Sequence, residues 1–304
     1  MDSAWMRPYL NMDPDFFFWS TELDMMADQE AGDKLHVRIQ MTREYFEELV
    51  WLMVAQMDSE FVGAYGYMPI PYIAPVFDAK ELRHVPQIVH DEFIHGNRIR
   101  DCLMLVGFDA DKWIEDHQSE YNYRVDNLSV KLAGRPTKDF RVNIFYYPIV
   151  EKDAAENNIH LPSWINFTIF QFLQDRGAGE QLRDAIDCNF EPWAHENTKI
   201  MREENRHIEH GDRWMEELFD RYGPLVQERL QMWWPLSIAT FGKPESERNE
   251  TWRRLGLKQR TNEQVLRDFL DGPNGVHAAN AKIGLRIPST DQIIAKWRVG
   301  DYSF

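Results

Sequence analysis

The stretch REENRHIEHG at residues 202–211 carries Glu204 and His207 three positions apart, and HDEFIHG at 90–96 repeats this spacing with Glu92 and His95. Residues three apart lie on one helix face about one turn apart, so both side chains can bind one metal ion. A single pair has a simpler explanation as a surface ion pair. Two pairs on different helices are typical of four-helix carboxylate bundles, in which each remaining helix adds one acidic residue.

Apolar periodicity and helix-ending residues predict four long helices around these motifs, joined as two hairpins. Asp78 is the expected N-cap of the second helix, with Glu81 as its capping-box partner, and Gly223-Pro224 is the expected end of the fourth. The sequence therefore predicts an all-α four-helix bundle with a long crossover and additional C-terminal helices. The expected helices cover 42–65, 78–107, 162–189 and 191–221.

The remaining chain is divided around this bundle. We expect an N-terminal extension over 1–41, the bundle over 42–223 with its crossover at 108–160, and C-terminal helices and tail over 224–304. The last segment is expected to pack on the bundle as part of the same domain. Within it, the pattern predicts a helical stretch through Trp233-Trp234, a polar loop at 242–250, a helix near 261–270 and an irregular tail.

One acidic ligand is needed from the first helix and one from the third. Glu60 lies in an apolar stretch, where an inward carboxylate is costly unless a cation compensates it. On the third helix, Asp175 and Glu180 both lie at a suitable height. Glu180 has Arg176 and Arg183 at helical spacing, which indicates a solvated ion pair. Asp175 precedes a Gly-Ala-Gly run that leaves room beside a carboxylate, so Asp175 is preferred.

The resulting set has four carboxylates and two imidazoles, which suit a pair of iron or manganese ions better than structural zinc. Iron is favoured if oxygen chemistry follows, and the symmetry of the pattern suggests Glu92 and Glu204 as bridges between two ions. Asp91 and Glu203 are candidates for orienting the histidines, with surface ion pairs as an equal alternative, whereas His210 is assigned a plain hydrogen-bonded role. The candidate metal ligands and catalytic residues are Glu60, Glu92, His95, Asp175, Glu204 and His207.

Composition limits the other possibilities. The 304 residues include 50 acidic and 34 basic side chains, giving a formal net charge of −16. Such acidity argues against a nucleic-acid partner or an anionic lipid surface. Two cysteines, no signal-like N-terminus and no apolar run of membrane-spanning length indicate a cytoplasmic protein without a membrane span.

Seven segments resemble a known family and together span most of the chain from 45 to 288. They resemble the catalytic subunits of phenylacetyl-CoA epoxidase, which are ferritin-like di-iron monooxygenases. The resemblance implies a ferritin-like bundle and favours Asp175 over Glu180, because the family has an aspartate at this distance before the second motif. The segments are DSEFVG (58–63), HDEFIHG (90–96), NIFYYP (143–148), FLQDRGAGE (172–180), REENRHIEHG (202–211), MWWPLSIATFG (232–242) and TNEQVLRDFLD (261–271).

The resemblance implies that two iron ions activate O2 and that one oxygen atom enters an aromatic substrate by ring epoxidation or hydroxylation. It also implies a separate NAD(P)H-dependent reductase and a ferritin-like structural subunit or homo-oligomer. No dinucleotide-binding loop or cysteine cluster occurs in the chain, so electrons must come from such a donor. Ile88 and Val89 replace a basic residue of the family, which leaves open a CoA thioester or a free aromatic acid as substrate.

Two other functions remain open at the level of sequence. A di-iron desaturase shares the EENRH pattern at 203–207, although DEFIH at 91–95 lacks the arginine of that family. A ferritin-type iron store or a scaffold subunit is the non-enzymatic alternative. For the oxygenase, the expected pocket walls, which core packing would explain equally well, are Phe61, Phe93, Ile94, Phe172 and Ile208.

Overall fold

The structure, a computed structural model, describes residues 5–10, 41–68, 70–74, 77–117 and 161–302. Within these ranges the regular secondary structure is helical, as the all-α prediction requires. Residues 118–160 of the expected crossover lie outside the described part of the chain. Most of the expected N-terminal extension lies outside it as well. None of the helices in the described ranges combines the length and the apolar character needed to traverse a bilayer.

The first hairpin consists of α1 (Arg43–Tyr67) and α2 (Glu81–Leu105), joined through a short helix at Ile70–Ile73. Thr42 is the N-cap of α1, and its hydroxyl accepts a hydrogen bond from the Tyr45 amide at 3.2 Å. The predicted inward face of α1 is confirmed. Its apolar positions are buried at Phe46, Val50, Met53, Val54 and Met57.

The N-terminus of α2 differs from the prediction. Lys80, not Asp78, is the N-cap residue, and it makes no side-chain cap. The Asp78 carboxylate instead accepts from the Lys80 amide at 2.9 Å. Glu81 is fully buried and binds His210 and Arg213 of another helix. Its carboxylate is therefore part of a tertiary contact that local capping rules do not reveal.

The second hairpin consists of α3 and α4. Helix α3 has three parts: an α-helix at Leu161–Phe170, a π-helical segment at Gln171–Asp175 and an α-helix at Arg176–Ile186. Helix α4 covers Glu191–Ala239. The two helices pack along most of α3, so the predicted pair of helical hairpins is present.

Helix α4 is interrupted by a kink where the sequence predicts the end of the fourth helix: Tyr222, with φ and ψ of −133° and 32°, is non-helical. A second helical part then continues to Ala239, which is the predicted helical stretch through Trp233-Trp234. The kink accommodates the proline ring and its missing amide donor, because it opens the helical turn at that point. Buried Val226 and Leu230 anchor the second half of the helix.

Four shorter helices follow: α5 (Glu247–Arg254), α6 (Asn262–Asp271), α7 (Val276–Ile283) and α8 (Thr290–Arg298). Helix α6 matches the prediction, whereas α5 begins inside the expected polar loop and α7 and α8 occupy the expected irregular tail. The signal for α8 was present in the sequence. Ser289 and Gln292 form a capping box, and Ile293, Ile294 and Trp297 form its buried face.

Two apolar cores lie at opposite ends of the long helices. One contains Val85 and Ile88 of α2 with Trp214 of α4, and the other contains Ile99 of α2 with Met201 of α4. Along α2 and α4, the Glu-x-x-His motifs fall between residues of the two cores. The fold therefore places a polar layer between two apolar layers, where water has little access.

Candidate metal centre

The four helices bring all six predicted ligands together in this polar layer. One donor atom from each of Glu60, Glu92, His95 and Glu204 lies within 4.8 Å of the others. Asp175, Glu204 and His207 form a second group that meets the same limit. Glu204 belongs to both groups, so the two candidate ion positions are neighbours. Helices α1 and α3 each supply one carboxylate, and α2 and α4 each supply one Glu-His pair.

His95 is the imidazole of the first group. Its Nδ1 atom lies 3.1 Å from Glu204 Oε1 and 3.5 Å from Glu60 Oε2. His95 is fully buried, and Glu60 retains only 11% side-chain exposure. Carboxylate oxygens from α1 and α4 thus surround this nitrogen of α2.

His207 is the imidazole of the second group. Its Nδ1 atom lies 3.1 Å from Glu92 Oε1 and 3.6 Å from Glu204 Oε2. Glu92 therefore approaches the histidine of the other Glu-x-x-His motif, just as Glu204 approaches His95. Glu92 and Glu204 are therefore the two carboxylates that would be within reach of both ions. The two imidazole centroids are 5.9 Å apart.

The nitrogen on the far side of each imidazole contacts a further carboxylate. His95 Nε2 lies 2.9 Å from Glu203 Oε2, and His207 Nε2 lies 3.4 Å from Asp91 Oδ2. Asp91 also accepts from Gln87 at 2.6 Å. Such partners fix the orientation of a ligating imidazole and its tautomer. These contacts are the ones expected for Glu203 and Asp91 from the sequence.

Two neighbours of the ligands had no signal in the sequence. The Tyr67 hydroxyl donates to Asp175 at 2.9 Å, and Gln56 Nε2 donates to Glu60 at 3.3 Å. Both lie on α1, but their partners depend on how that helix packs. A tyrosine and a glutamine at these positions would be unremarkable in any buried helix, so only the tertiary structure identifies them.

The carboxylates have strongly perturbed proton affinities. Burial, reinforced by the charge of Glu204, raises the pKa of Glu92 to about 7. Burial also opposes ionisation of Glu204, but the imidazoles of His207 and His95 outweigh it and lower its pKa to about 2. The pKa of Asp175 is raised well above its usual value by burial and by Glu204. Without a cation, this cluster therefore retains protons.

The pKa values of the two imidazoles are also raised. Burial alone would lower the pKa of each ring. For His95, the carboxylates of Glu203 and Glu204 overcome burial and raise the pKa well above 6.5. Glu204 and Asp91 have the same effect on His207. A divalent cation would thus compete with these protons for the same lone pairs on the ligand atoms.

Two buried nitrogen atoms without a hydrogen-bond partner in the described part of the chain indicate whether these residues fit a metal ion. Within the described residues, His95 Nδ1 and His207 Nδ1 are buried and make no hydrogen bond, although each has carboxylate oxygens nearby. Buried polar atoms are rarely left without a partner. A cation bound by the imidazole and the carboxylates would satisfy both atoms. Oxygen and imidazole donors of this kind suit Fe²⁺ or Mn²⁺, so the residues fit a pair of such ions.

Glu180, the alternative to Asp175, lies outside the cluster. It forms ion pairs with Arg183 at 2.9 Å and Arg260 at 3.2 Å. The expected pairing with Arg183 is therefore present, but Arg176 binds Asp212 instead. Glu180 is nevertheless buried, so the expectation of a solvated pair was wrong. The cause is Arg260, a partner distant in sequence.

Room for the ligands comes from a glycine that the sequence did not single out for this purpose. A Cβ atom added at Gly63 of α1 would lie 2.9 Å from Glu92 Oε2. Added at Gly177 or Gly179, it would instead first meet apolar side chains, including Phe241 and Met201 respectively. Gly63, not the Gly-Ala-Gly run, thus makes space for a carboxylate.

The expected pocket walls lie in different surroundings. Phe61 packs in the core that contains Ile99, and Phe172 packs in the core that contains Trp214. Phe93 and Ile94 are partly buried, and Ile208 is buried. Phe61 and Phe93 lie side by side, with ring centroids 6.4 Å apart. Their role as a substrate pocket stays a prediction.

Comparison with known proteins agrees with the resemblance found in the sequence. The family described as phenylacetic acid catabolic protein matches residues 36–304. Curated proteins give no match to the chain. The family match covers all four helices that supply the candidate ligands. The chain belongs to the phenylacetic acid catabolic protein family.

Proposed function

We propose that this protein is a non-haem di-iron oxygenase component that inserts one oxygen atom of O2 into an aromatic substrate. The convergence of four carboxylates and two imidazoles in two overlapping groups carries the proposal. Membership of a family of phenylacetic acid catabolism supports an aromatic substrate. Ring epoxidation or hydroxylation, of a CoA thioester or of a free aromatic acid, fits this donor set.

Each ligand has a place in the proposed centre. Glu60 and His95 would hold one ion, and Asp175 and His207 would hold the other. Glu92 and Glu204 would be shared, since each approaches the histidine of the other Glu-x-x-His motif. A bound pair of ferrous ions supplies two electrons for the reduction of O2, so that one oxygen atom reaches the ring and the other leaves as water.

The surrounding residues control this chemistry by position. Glu203 and Asp91 contact the Nε2 atoms of the imidazoles, so the Nδ1 atoms would remain directed at the proposed cation positions. Tyr67 holds Asp175 through its hydroxyl. The apolar layers on either side exclude bulk water, which strengthens electrostatic interactions within the site.

The proposed reaction requires partners. We propose that electrons come from a separate NAD(P)H-dependent reductase, and that a ferritin-like structural subunit or a second copy of the chain completes the assembly. A cytoplasmic location suits such a system. The family supports partner components in general. Reconstitution of turnover with added components would identify the reductase and the structural subunit.

The proposal is tested by metal analysis together with isotope labelling. Purified protein is assayed for iron, then incubated with reductase, NAD(P)H, ¹⁸O2 and a set of aryl-CoA thioesters and free aromatic acids. We expect two irons per chain and a product that gains one ¹⁸O atom. Glu204→Ala and His207→Ala should lose iron and turnover, whereas His195→Ala, at an exposed position of α4, should retain both.

Three results would contradict the proposal, each pointing to another function. A new double bond without label would indicate a desaturase. A self-assembled shell holding many irons per chain would indicate iron storage. Failure to bind iron, with the helical fold intact, would indicate a scaffold subunit.

A further inference from the structure

The π-helical segment Gln171–Asp175 ends on a candidate ligand and is held by three consecutive residues of α4, His210, Gly211 and Asp212. A π segment inserts an extra residue into the helical turn, so it shifts every side chain that follows. The position of Asp175 therefore depends on whether this segment keeps its conformation. We refer to residues 210–212 as the α4 clamp.

His210 holds the beginning of the segment. Its Nδ1 atom is hydrogen-bonded to Gln171 Oε1 at 2.7 Å, and its Nε2 atom to Glu81 Oε2 at 2.8 Å. Glu81 is itself fixed by Arg213 at 2.5 Å and by Trp214 at 3.1 Å. His210 and Glu81 are both buried, so this connection between α2, α3 and α4 is shielded from water.

Gly211 sets the distance between the two helices. A Cβ atom added there would lie 2.8 Å from Gln171 Cβ and 3.0 Å from the Phe172 backbone nitrogen. The backbone of the π segment thus lies directly on α4, and no side chain fits between them. Backbone atoms cannot rotate away as a flexible side chain could, so a larger residue would displace the segment.

Asp212 holds the end of the segment through Arg176, the residue after Asp175. The Arg176 guanidinium donates to both Asp212 oxygens, at 2.6 and 2.8 Å, and to the Asn274 carbonyl at 2.7 Å. It also donates to the Phe172 carbonyl inside the π segment. Arg176 is 2% exposed, so its charge depends on these partners.

We propose that the α4 clamp is a set of positioning residues that fixes Asp175 relative to His207, its partner in the second candidate ion site. This inference rests on the proposed di-iron function. The clamp begins three residues after His207 on the same helix, so α4 presents one ligand and sets the position of the other. The first ion group, which lacks Asp175, has no such dependence.

The test uses Co²⁺ as the metal probe and full-length protein. Metal-free wild type, Gly211→Ala and His210→Ala are titrated with Co²⁺ while the visible absorption spectrum is recorded. Gly179→Ala on α3 is the matched control, because its Cβ would make ordinary contacts of 3.4 Å with flexible side chains of Ile208 and Met201. Hydrogen exchange of residues 170–176 is measured in the metal-free proteins.

We expect wild type and Gly179→Ala to bind two Co²⁺ ions. In the two clamp variants, the second ion should bind at least tenfold more weakly, and residues 170–176 should exchange faster. His210→Ala keeps the test decisive if Gly211→Ala does not fold, because it creates no steric conflict.

Two outcomes would overturn the clamp alone. One is an unchanged second-ion affinity, spectrum and exchange rate in the clamp variants. The other is an equal loss of both ions along with general unfolding, which would show a purely structural role. A wild-type chain that binds no second Co²⁺ would instead overturn the proposed di-iron function, and the clamp with it.

Discussion

At the scale of single residues, each imidazole of the candidate centre is fixed through the nitrogen that faces away from it. Glu203 and Asp91 directly precede the ligands Glu204 and Glu92, but each contacts the histidine of the other motif. Each motif thus supplies two ligands and an orienting group for its counterpart. Consecutive carboxylates of one motif thus contact the two opposite nitrogens of one imidazole, since Glu203 and Glu204 both approach His95.

Removing an orienting carboxylate should weaken metal binding without abolishing it. For Glu203→Ala we expect a 10- to 100-fold loss of Co²⁺ affinity, because His95 would lose the partner that fixes its ring. Titration of the metal-free protein measures this affinity. Glu209→Ala, at an exposed position of the same helix, is the control. Equal affinities in the two variants would show that Glu203 has no orienting role.

Gly63→Ala should also disturb the centre, but by adding atoms beside a ligand instead of removing a contact. The new methyl group would lie 2.9 Å from Glu92 Oε2, so the carboxylate or the helix must move. We expect destabilisation of about 1–3 kcal/mol, typical of overpacking, and weaker binding of both ions because Glu92 is shared. Urea unfolding and Co²⁺ titration measure the two effects. Gly179→Ala is the control, and matching behaviour would refute the steric role of Gly63.

At the scale of elements, buried polar contacts determine how the helices are aligned. Glu81 at the start of α2 receives hydrogen bonds from His210, Arg213 and Trp214 of α4. Arg260 of the loop before α6 ties Glu180 and Asp268 together. Such contacts are directional, whereas apolar packing tolerates sliding, so they set the height at which ligands on different helices meet.

The Glu81 contact predicts a pH dependence of stability. Burial opposes ionisation of Glu81, but the bonds from His210, Arg213 and Trp214 prevail and lower its pKa from 4.5 to about 2. The unfolded chain therefore binds this proton more readily, and the stabilisation is complete above about pH 4.5 and lost as the pH falls towards 2. The loss between pH 6 and pH 3 should be about 2 kcal/mol.

Urea unfolding of wild type and Glu81→Gln at both pH values isolates this effect. The stability difference between the two proteins should shrink by about 2 kcal/mol at the lower pH, because the glutamine does not titrate. The comparison cancels the contributions of other acidic residues. A difference independent of pH would show that the Glu81 charge does not stabilise the fold.

At the scale of the whole molecule, the two apolar cores confine the charged layer between them. Four carboxylates meet there in a protein whose formal net charge is already −16. Burial of these carboxylates, together with their mutual repulsion, opposes their ionisation in the folded protein and raises the pKa values of Glu92 and Asp175. Two divalent cations would remove this repulsion, so the stability of the whole fold should depend on metal.

Metal removal and readdition test this coupling. Adding Mn²⁺ to metal-free protein at 100 times its dissociation constant should stabilise the fold by about 2.7 kcal/mol for each ion. Thermal unfolding followed by circular dichroism measures the change. His195→Ala should respond as wild type does, and Glu204→Ala, which lacks a shared ligand, should respond little. An equal response in both variants would place the metal elsewhere.

Periodicity, motif spacing and the family resemblance were sufficient to predict the helical class, the two hairpins and the six residues that the fold brings together. They could do so because helical periodicity is local and because the Glu-x-x-His spacing places both side chains on one face. The capping box of α8 was equally local and could have been recognised. Height relative to the motifs pointed to Glu60 and left Asp175 and Glu180 open; the arginines beside Glu180, the Gly-Ala-Gly run and the family resemblance then favoured Asp175.

The π segment and the roles of Gly63, Tyr67 and Glu81 became apparent only from the packing of the helices. These features arise from contacts between residues far apart in the chain. Gly211 admits the backbone of the π segment at a distance that no local rule describes. Local patterns specify which elements form, whereas packing determines how they adjust to one another.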